Sequence, residues 1–130
     1  MMEHISVPVS PGEVVDKITI LEIKAERITD EEKLRNVRTE LDLLVQVWET
    51  VSVNTEAIPP LKEALKGINQ ALWDIEDQIR VKELRREFDQ EFIDLARSVY
   101  VQNDQRAAIK KQINVLLGSR IKEEKSYAEY

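Results

Sequence analysis

The sequence predicts an all-α fold, a bundle of four to five helices built from two antiparallel helical hairpins behind an extended N-terminal arm. Three observations carry that expectation. Leu61, Leu65, Ile68, Leu72, Ile75 and Ile79 follow one another at spacings of four, three, four, three and four residues, which is the apolar seam of a long amphipathic helix. Only 3 glycines and 4 prolines occur in 130 residues and aromatics make up 5%, so the turn chemistry of β structure is scarce. Helix-capping patterns recur where the apolar periodicity restarts. The length suits a single domain over residues 1–130, with residues 1–10 as the arm and 119–130 as a partly ordered tail.

The arm alternates Ile5, Val7 and Val9, but Pro8 removes a backbone donor and a lone short strand has no partner in a helical chain. It is expected to lie across the body or to pair with the same arm of a second subunit. Ser10-Pro11-Gly12-Glu13 places a cap, a first-turn proline and a glutamate three residues after the cap, so the first helix starts there. Val14, Ile18, Leu21, Ala25 and Ile28 form its main stripe, while Ile20 and Ile23 lie on the other side with Asp16 and Thr19. A helix apolar on two sides is either sandwiched in the body or covered by another subunit.

Thr29-Asp30-Glu31-Glu32 repeats the capping pattern and opens the second helix, whose seam of Leu34, Val37, Leu41, Leu44, Trp48 and Val51 is spaced as in a coiled coil. Ser52 to Glu56 breaks it, and Ile58-Pro59-Pro60 leads to a third helix with Pro60 or Leu61 in its first turn. That helix is expected to be the largest contributor to the core. Asp89 can cap a fourth helix, with one face of Phe88, Phe92, Leu95 and Val99 and another of Ile93, Ala96 and Tyr100. Asn103 or Asp104 is expected to cap a fifth, with Ile109, Ile113 and Leu116 as its seam and Gly118 as its stop. In the tail, Tyr127 and Tyr130 are the candidate anchors.

Charge narrows the function. The net charge is -6, and residues 1–79 hold 8 Lys/Arg against 16 Asp/Glu (-8) whereas residues 80–130 hold 11 against 9 (+2). An acidic chain argues against nucleic-acid binding, and no apolar run approaches the roughly 20 residues that span a bilayer, so no membrane insertion is expected. Cysteine is absent, and His4 is the only histidine, so thiolate chemistry, zinc sites and histidine triads have no residues to build on. Met1-Met2-Glu3-His4 does not read as a secretory signal, which makes the cytoplasm the expected location. Asp74 with Asp77 and Glu91 with Asp94 have a spacing used to hold magnesium, but solvation of an acidic helix explains them as well, and no metal or cofactor is expected.

One candidate polar pocket remains. It combines Glu22 and Lys24 of the first helix, Trp73, Glu76 and Arg80 of the third, and Asp104, Arg106, Lys110 and Asn114 at the fifth. Asn69, Trp73, Glu76 and Arg80 share one flank of the third helix. The plain alternatives are an i,i+4 pair for Glu76 and Arg80, packing for Trp73, and a solvated face for Arg106, Lys110 and Asn114. The sharper one is a pocket in which arginine and lysine hold a carboxylate or phosphate and Glu76 acts as acid, base or orienting group.

The stretches GEVVDKITILEIKAERI (12–28), ALWDIEDQIR (71–80) and FIDLARSVYVQNDQRAAIKKQIN (92–114) resemble a small bacterial family of uncharacterised all-helical proteins, a domain of unknown function. The resemblance implies a stand-alone cytoplasmic bacterial protein of about this length and brings no functional residue with it. A looser likeness is to helical chorismate mutases, in which Lys24, Glu76, Arg80 and Arg106 would take the pocket roles, although the spacing departs from that family's pattern. The leading expectation is a non-catalytic interaction or scaffold protein acting as a homodimer, with a protein partner on its spare apolar faces. The alternative is a small-metabolite enzyme, or a protein binding a small anionic ligand, that uses the polar pocket.

Overall fold

A computed structural model describes residues 3–51 and 56–130. Among them the chain is all-helical: α1 (Pro11–Arg27), α2 (Glu31–Glu49), α3 (Ile58–Leu84) and α4 (Gln90–Leu116). Two of the expected caps form, at Ser10 and Asp89, and the second helix is capped by Asp30, one residue beyond the Thr29 of the capping-box pattern. The Ser10 hydroxyl accepts from the Glu13 amide at 3.2 Å, Asp30 accepts from the Lys33 amide at 2.9 Å, and Asp89 accepts from the Phe92 amide at 3.0 Å, each satisfying a first-turn donor with no intrahelical partner.

The expected fifth helix does not exist, because α4 runs unbroken through Asn103 and Asp104. Its inward residues keep helical spacing across that point, from Phe92, Leu95 and Val99 to Arg106, Ile109 and Ile113, so the packing face never turns away. Asp104 directs its carboxylate outward, where it accepts a hydrogen bond of 2.6 Å from the Tyr130 hydroxyl. α3 begins at Ile58 rather than at Pro60 or Leu61. Pro59 and Pro60 fit its first turn, whose N–H groups lack partners anyway, and this leaves Ile58 buried in the core. The break expected at Ser52 to Glu56 falls mostly on residues 52–55, outside the described residues.

α1, not α3, is the centre of the molecule. It packs against all three other helices, whereas α2 lies beside α1 alone. It supplies Val14, Val15, Ile18, Leu21 and Ile23 to the buried core, each contributing roughly 1.5 to 3 kcal/mol. α3 supplies Ile58 and Leu65 and α4 supplies Ile113, with Trp48 of α2 packed at the edge. Leu72, Ile75 and Ile79 are only half-buried, so α3 contributes less than its seam suggests. The body covers both sides of α1: Ile23 is 1% exposed and Thr19 fully enclosed.

Glycine marks one close approach. At Gly12 the start of α1 comes so near to α4 that a Cβ would stand 2.6 Å from the Lys110 carbonyl oxygen. Both long helices end in the same hydrogen-bonded wrap, in which Glu87 N–H bonds Lys82 C=O at 3.0 Å and Ser119 N–H bonds Asn114 C=O at 2.9 Å. The left-handed position belongs to Gly118 in α4 but to Arg86 in α3, at φ 58°. Residues 3–10 and the tail form neither helix nor strand. Ile5 and Val7 are exposed, while Tyr130 stacks on Tyr100 with ring centroids 4.9 Å apart and Tyr127 stays exposed.

Two glycine replacements are expected to act in opposite directions in chemical denaturation. Gly12→Ala drives a methyl into backbone and is expected to lower stability by roughly 1 to 3 kcal/mol. Gly67→Ala meets nothing within 4 Å and is expected to raise it by about 0.5 to 1 kcal/mol through helix propensity.

Candidate functional site

The polar chemistry gathers where α1 crosses α3 and α4. Three rungs join α1 to α4, and their numbers fall on one helix as they rise on the other, so the two helices run antiparallel. Gly12 N–H donates to Asn114 Oδ1 at 2.7 Å, Lys110 Nζ meets Glu13 Oε2 at 2.6 Å, and Arg106 holds Asp16 with two parallel bonds. In the last rung Nε donates to Oδ1 at 2.9 Å and Nη2 to Oδ2, the fork geometry that a guanidinium offers a carboxylate.

Asp16 is 1% exposed, and its remaining acceptor capacity is filled from α3. Asn69 Nδ2 donates to Asp16 Oδ1 and to Thr19 Oγ1, both at 2.9 Å, and the Thr19 hydroxyl donates to the Asp16 carbonyl at 2.7 Å. Such a buried carboxylate is tolerated only when paired and fully hydrogen-bonded. The tail adds a further acid, since Glu123 lies 3.2 Å from Lys110 Nζ.

These surroundings shift proton affinities. Burial favours the neutral form of Glu13, yet hydrogen bonding to Lys110 and then Glu123 outweighs it and holds the carboxyl below its ordinary value. Burial likewise works against the charge on Lys110, but Glu13, Asp16 and Glu123 together keep its ammonium above the usual lysine range. Asp16 raises the affinity of the Arg106 guanidinium for its proton still further.

Beside this network a cleft of about 550 Å³ opens between α1, α3 and α4. Ile20, Ile23, Leu72, Trp73 and Val99 form its apolar walls, and Asn69, Glu76, Asp77, Arg80, Asn103 and Arg106 bring polar groups to it. Arg106 therefore belongs to both places, fixed behind by Asp16 and facing the cleft in front with 29% of its side chain exposed. Arg27 lies 5.8 Å from the Trp73 ring centroid and bonds Asp74 at 2.5 Å, which fixes the indole from outside.

Of the nine candidate residues, Trp73, Glu76, Arg80 and Arg106 come together in the cleft. Lys110 and Asn114 join Arg106 in the α1–α4 ladder instead, and for these three the solvated face is ruled out by their burial. Glu76 and Arg80 form an exposed i,i+4 pair of 3.4 Å at the cleft lip. Glu22 stands apart, paired with Lys62 at 3.2 Å and near Lys66 at 4.0 Å, and its Oε1 is buried without a hydrogen bond. Lys24 and Asp104 do not line the cleft. Three of the four carboxylates considered for magnesium are engaged with other groups, Asp74 with Arg27, Glu91 with Lys82 at 3.1 Å and Asp94 with Gln90 at 2.8 Å, while Asp77 lines the cleft.

Sequence reasoning missed Gly12, Glu13, Asp16, Thr19 and Glu123. A usable signal was present for Asp16, an acid on an apolar second face beside Ile20 and Ile23, which demands a cation from a neighbouring helix.

The model of a family described as "Family of unknown function (DUF6165)" matches residues 5–130. The chain belongs to this family. No curated protein matches it, and no solved structure matches it. Among the described residues no helix is long and apolar enough to cross a membrane.

Arg106→Ala strands a buried carboxylate and is expected to cost roughly 3 to 5 kcal/mol in denaturant unfolding. Arg80→Ala breaks only an exposed pair and should stay within about 0.5 kcal/mol of the parent. The Glu13 carboxyl sits below 4.5 in the folded state. Its contribution is thus complete above that pH and is lost as pH falls through the lower folded value. Stability measured against pH should show Glu13→Gln weaker than the parent at neutral pH, with the gap closing below pH 4.5.

Proposed function

We propose that this protein binds a compact, partly apolar molecule carrying an anionic group in the cleft between α1, α3 and α4. The observation that supports this reading most is the double position of Arg106. Its Nε and Nη2 are committed to Asp16. Among the described residues Nη1 makes no hydrogen bond, in a side chain that lines the cleft. A guanidinium already locked in place loses little conformational freedom when it takes an anion, so the binding cost is low. Arg80 supplies a second, exposed cation at the lip. Ile20, Ile23, Leu72 and the Trp73 indole would cover the apolar part of the ligand. Glu76 and Asp77 on the same rim favour a ligand with hydroxyl or ammonium donors next to its anion.

A second reading, a homodimeric interaction protein without catalysis, draws on the exposed apolar residues at the far end of α3 and α4, where Leu84 is 83% and Phe88 54% exposed. In both readings the setting is a bacterial cytoplasm, α1 and α2 pack as a coiled-coil-like hairpin, α3 and α4 form the second hairpin, and the residues before Ser10 act as an arm.

A thermal-shift screen tests the cleft. Phosphorylated sugars, nucleotides, dicarboxylates and aromatic carboxylates are the probes, and a ligand at a hundredfold its Kd stabilises by roughly 2.7 kcal/mol. The expected result is a raised Tm with at least one of them, quenching of tryptophan fluorescence, and loss of the shift in Arg80→Ala. If all four classes leave Tm unmoved, the cleft reading fails.

A further inference from the structure

None of residues 70–109 is fully buried, although they contain most of two long helices and their connection. The α3–α4 seam is maintained there, with Leu72, Ile75 and Ile79 opposite Phe92, Leu95 and Val99, yet all six are only half-buried. Among the described residues no hydrogen bond or ion pair ties residues 75–98 to α1 or α2; the polar bonds of this stretch stay within the stretch itself or its immediate helix neighbours. The turn at its end is held by charge rather than by apolar packing. Lys82 Nζ gathers Asp89 at 2.9 Å, Glu91 at 3.1 Å and Glu87 at 3.3 Å. Two helices alone cannot bury a seam, and the apolar side chains of Leu84, Phe88 and Ile93 face solvent.

The order of residues along α3 indicates what covers them. Leu72, Glu76, Arg80 and Leu84 recur every four residues on the cleft side of the helix, apolar at both ends with an acid and a base between. That order complements itself under a two-fold rotation centred midway between Glu76 and Arg80. The rotation places each glutamate against the other copy's arginine and each Leu84 against the other copy's Leu72. Within one chain the Glu76–Arg80 pair is long, at 3.4 Å, and both side chains are more than half exposed, so neither partner is bound firmly at home.

We propose that a second copy of this chain packs on the distal half of the α3–α4 hairpin, two hairpins forming an isologous four-helix assembly with reciprocal Glu76–Arg80 pairs. The inference rests on the homodimer reading above and assigns its surface. Leu84 of each copy then stands at the mouth of the other's cleft, since Leu72 is one of the cleft's walls. The cleft, open on that side in one chain, is completed by the partner.

Sedimentation equilibrium of the whole chain tests this through a charge exchange. The parent is expected at twice 15.1 kDa at micromolar concentration. Arg80→Glu gives a chain with two acids at the contact and Glu76→Arg one with two bases, so each alone should dimerise at least about tenfold more weakly through like-charge repulsion. Mixed in equal amounts, the two variants should recover the parent mass, because each acid then meets a base. Leu84→Ser, at a solvent-exposed site, is expected to weaken the dimer while leaving the Tm of the dilute monomer unchanged. A parent that stays monomeric at tens of micromolar overturns both the interface and the homodimer reading. A dimeric parent whose single charge variants remain fully dimeric overturns the interface alone.

Discussion

The architecture depends on one buried ion pair. Asp16 is almost wholly enclosed, on a helix whose two sides are otherwise apolar, and Arg106 reaches it across 90 residues of sequence. Removing a carboxylate from water is unfavourable by several kcal/mol, and the attraction of one base offsets this only when geometry and hydrogen bonding are both complete. Here they are, because Arg106 presents its fork and Asn69 fills the remaining site. The pair contributes specificity more than bulk stability, since only one rotation and register of α1 on α4 brings the two groups together. Gly12 and Asn114, about one turn further along α1 and two along α4, fix the same register by steric fit and a backbone hydrogen bond.

Much of the fold was legible in the sequence. The caps at Ser10 and Asp89 were readable, and that of α2 to within one residue, because a short polar side chain before an apolar stripe satisfies the first free amides through local chemistry. The continuation of α4 through Asn103 and Asp104 was not readable in that way. Both residues are good caps in isolation, and what overrides them is the unbroken inward face that Asp16 and the core impose from another helix. The central role of α1 was hidden for a related reason: a seam in sequence gives the direction of burial but not its depth. The Leu72–Ile79 stretch has a better pattern than α1, yet it is less covered.

The candidate site divides along similar lines. Trp73, Glu76 and Arg80 line one cleft by helical phase alone, since residues three and four apart share a flank whatever else happens. Arg106 joins them because α4 crosses next to that flank, which no local pattern encodes. Glu22, Lys24 and Asp104 had suitable chemistry but the wrong azimuth around the axis, and each finds either a private partner or solvent. Lys110 and Asn114 lie about one and two turns of α4 beyond Arg106, roughly 6 and 12 Å of rise, enough to assign them to the crossing instead.

The ladder between α1 and α4 also determines which parts of the chain can be cooperative units. Its acids, Glu13 and Asp16, lie in the first quarter of the sequence, and its bases, Arg106 and Lys110, lie in the last. Neither half can complete the pairing by itself. A fragment ending after α2 would hold a carboxylate on an apolar face with no counter-charge, and one beginning at α3 would hold cations beside an unfilled groove. Folding of the two halves is therefore coupled through contacts of very long range, which favours an all-or-none transition over independent subdomains.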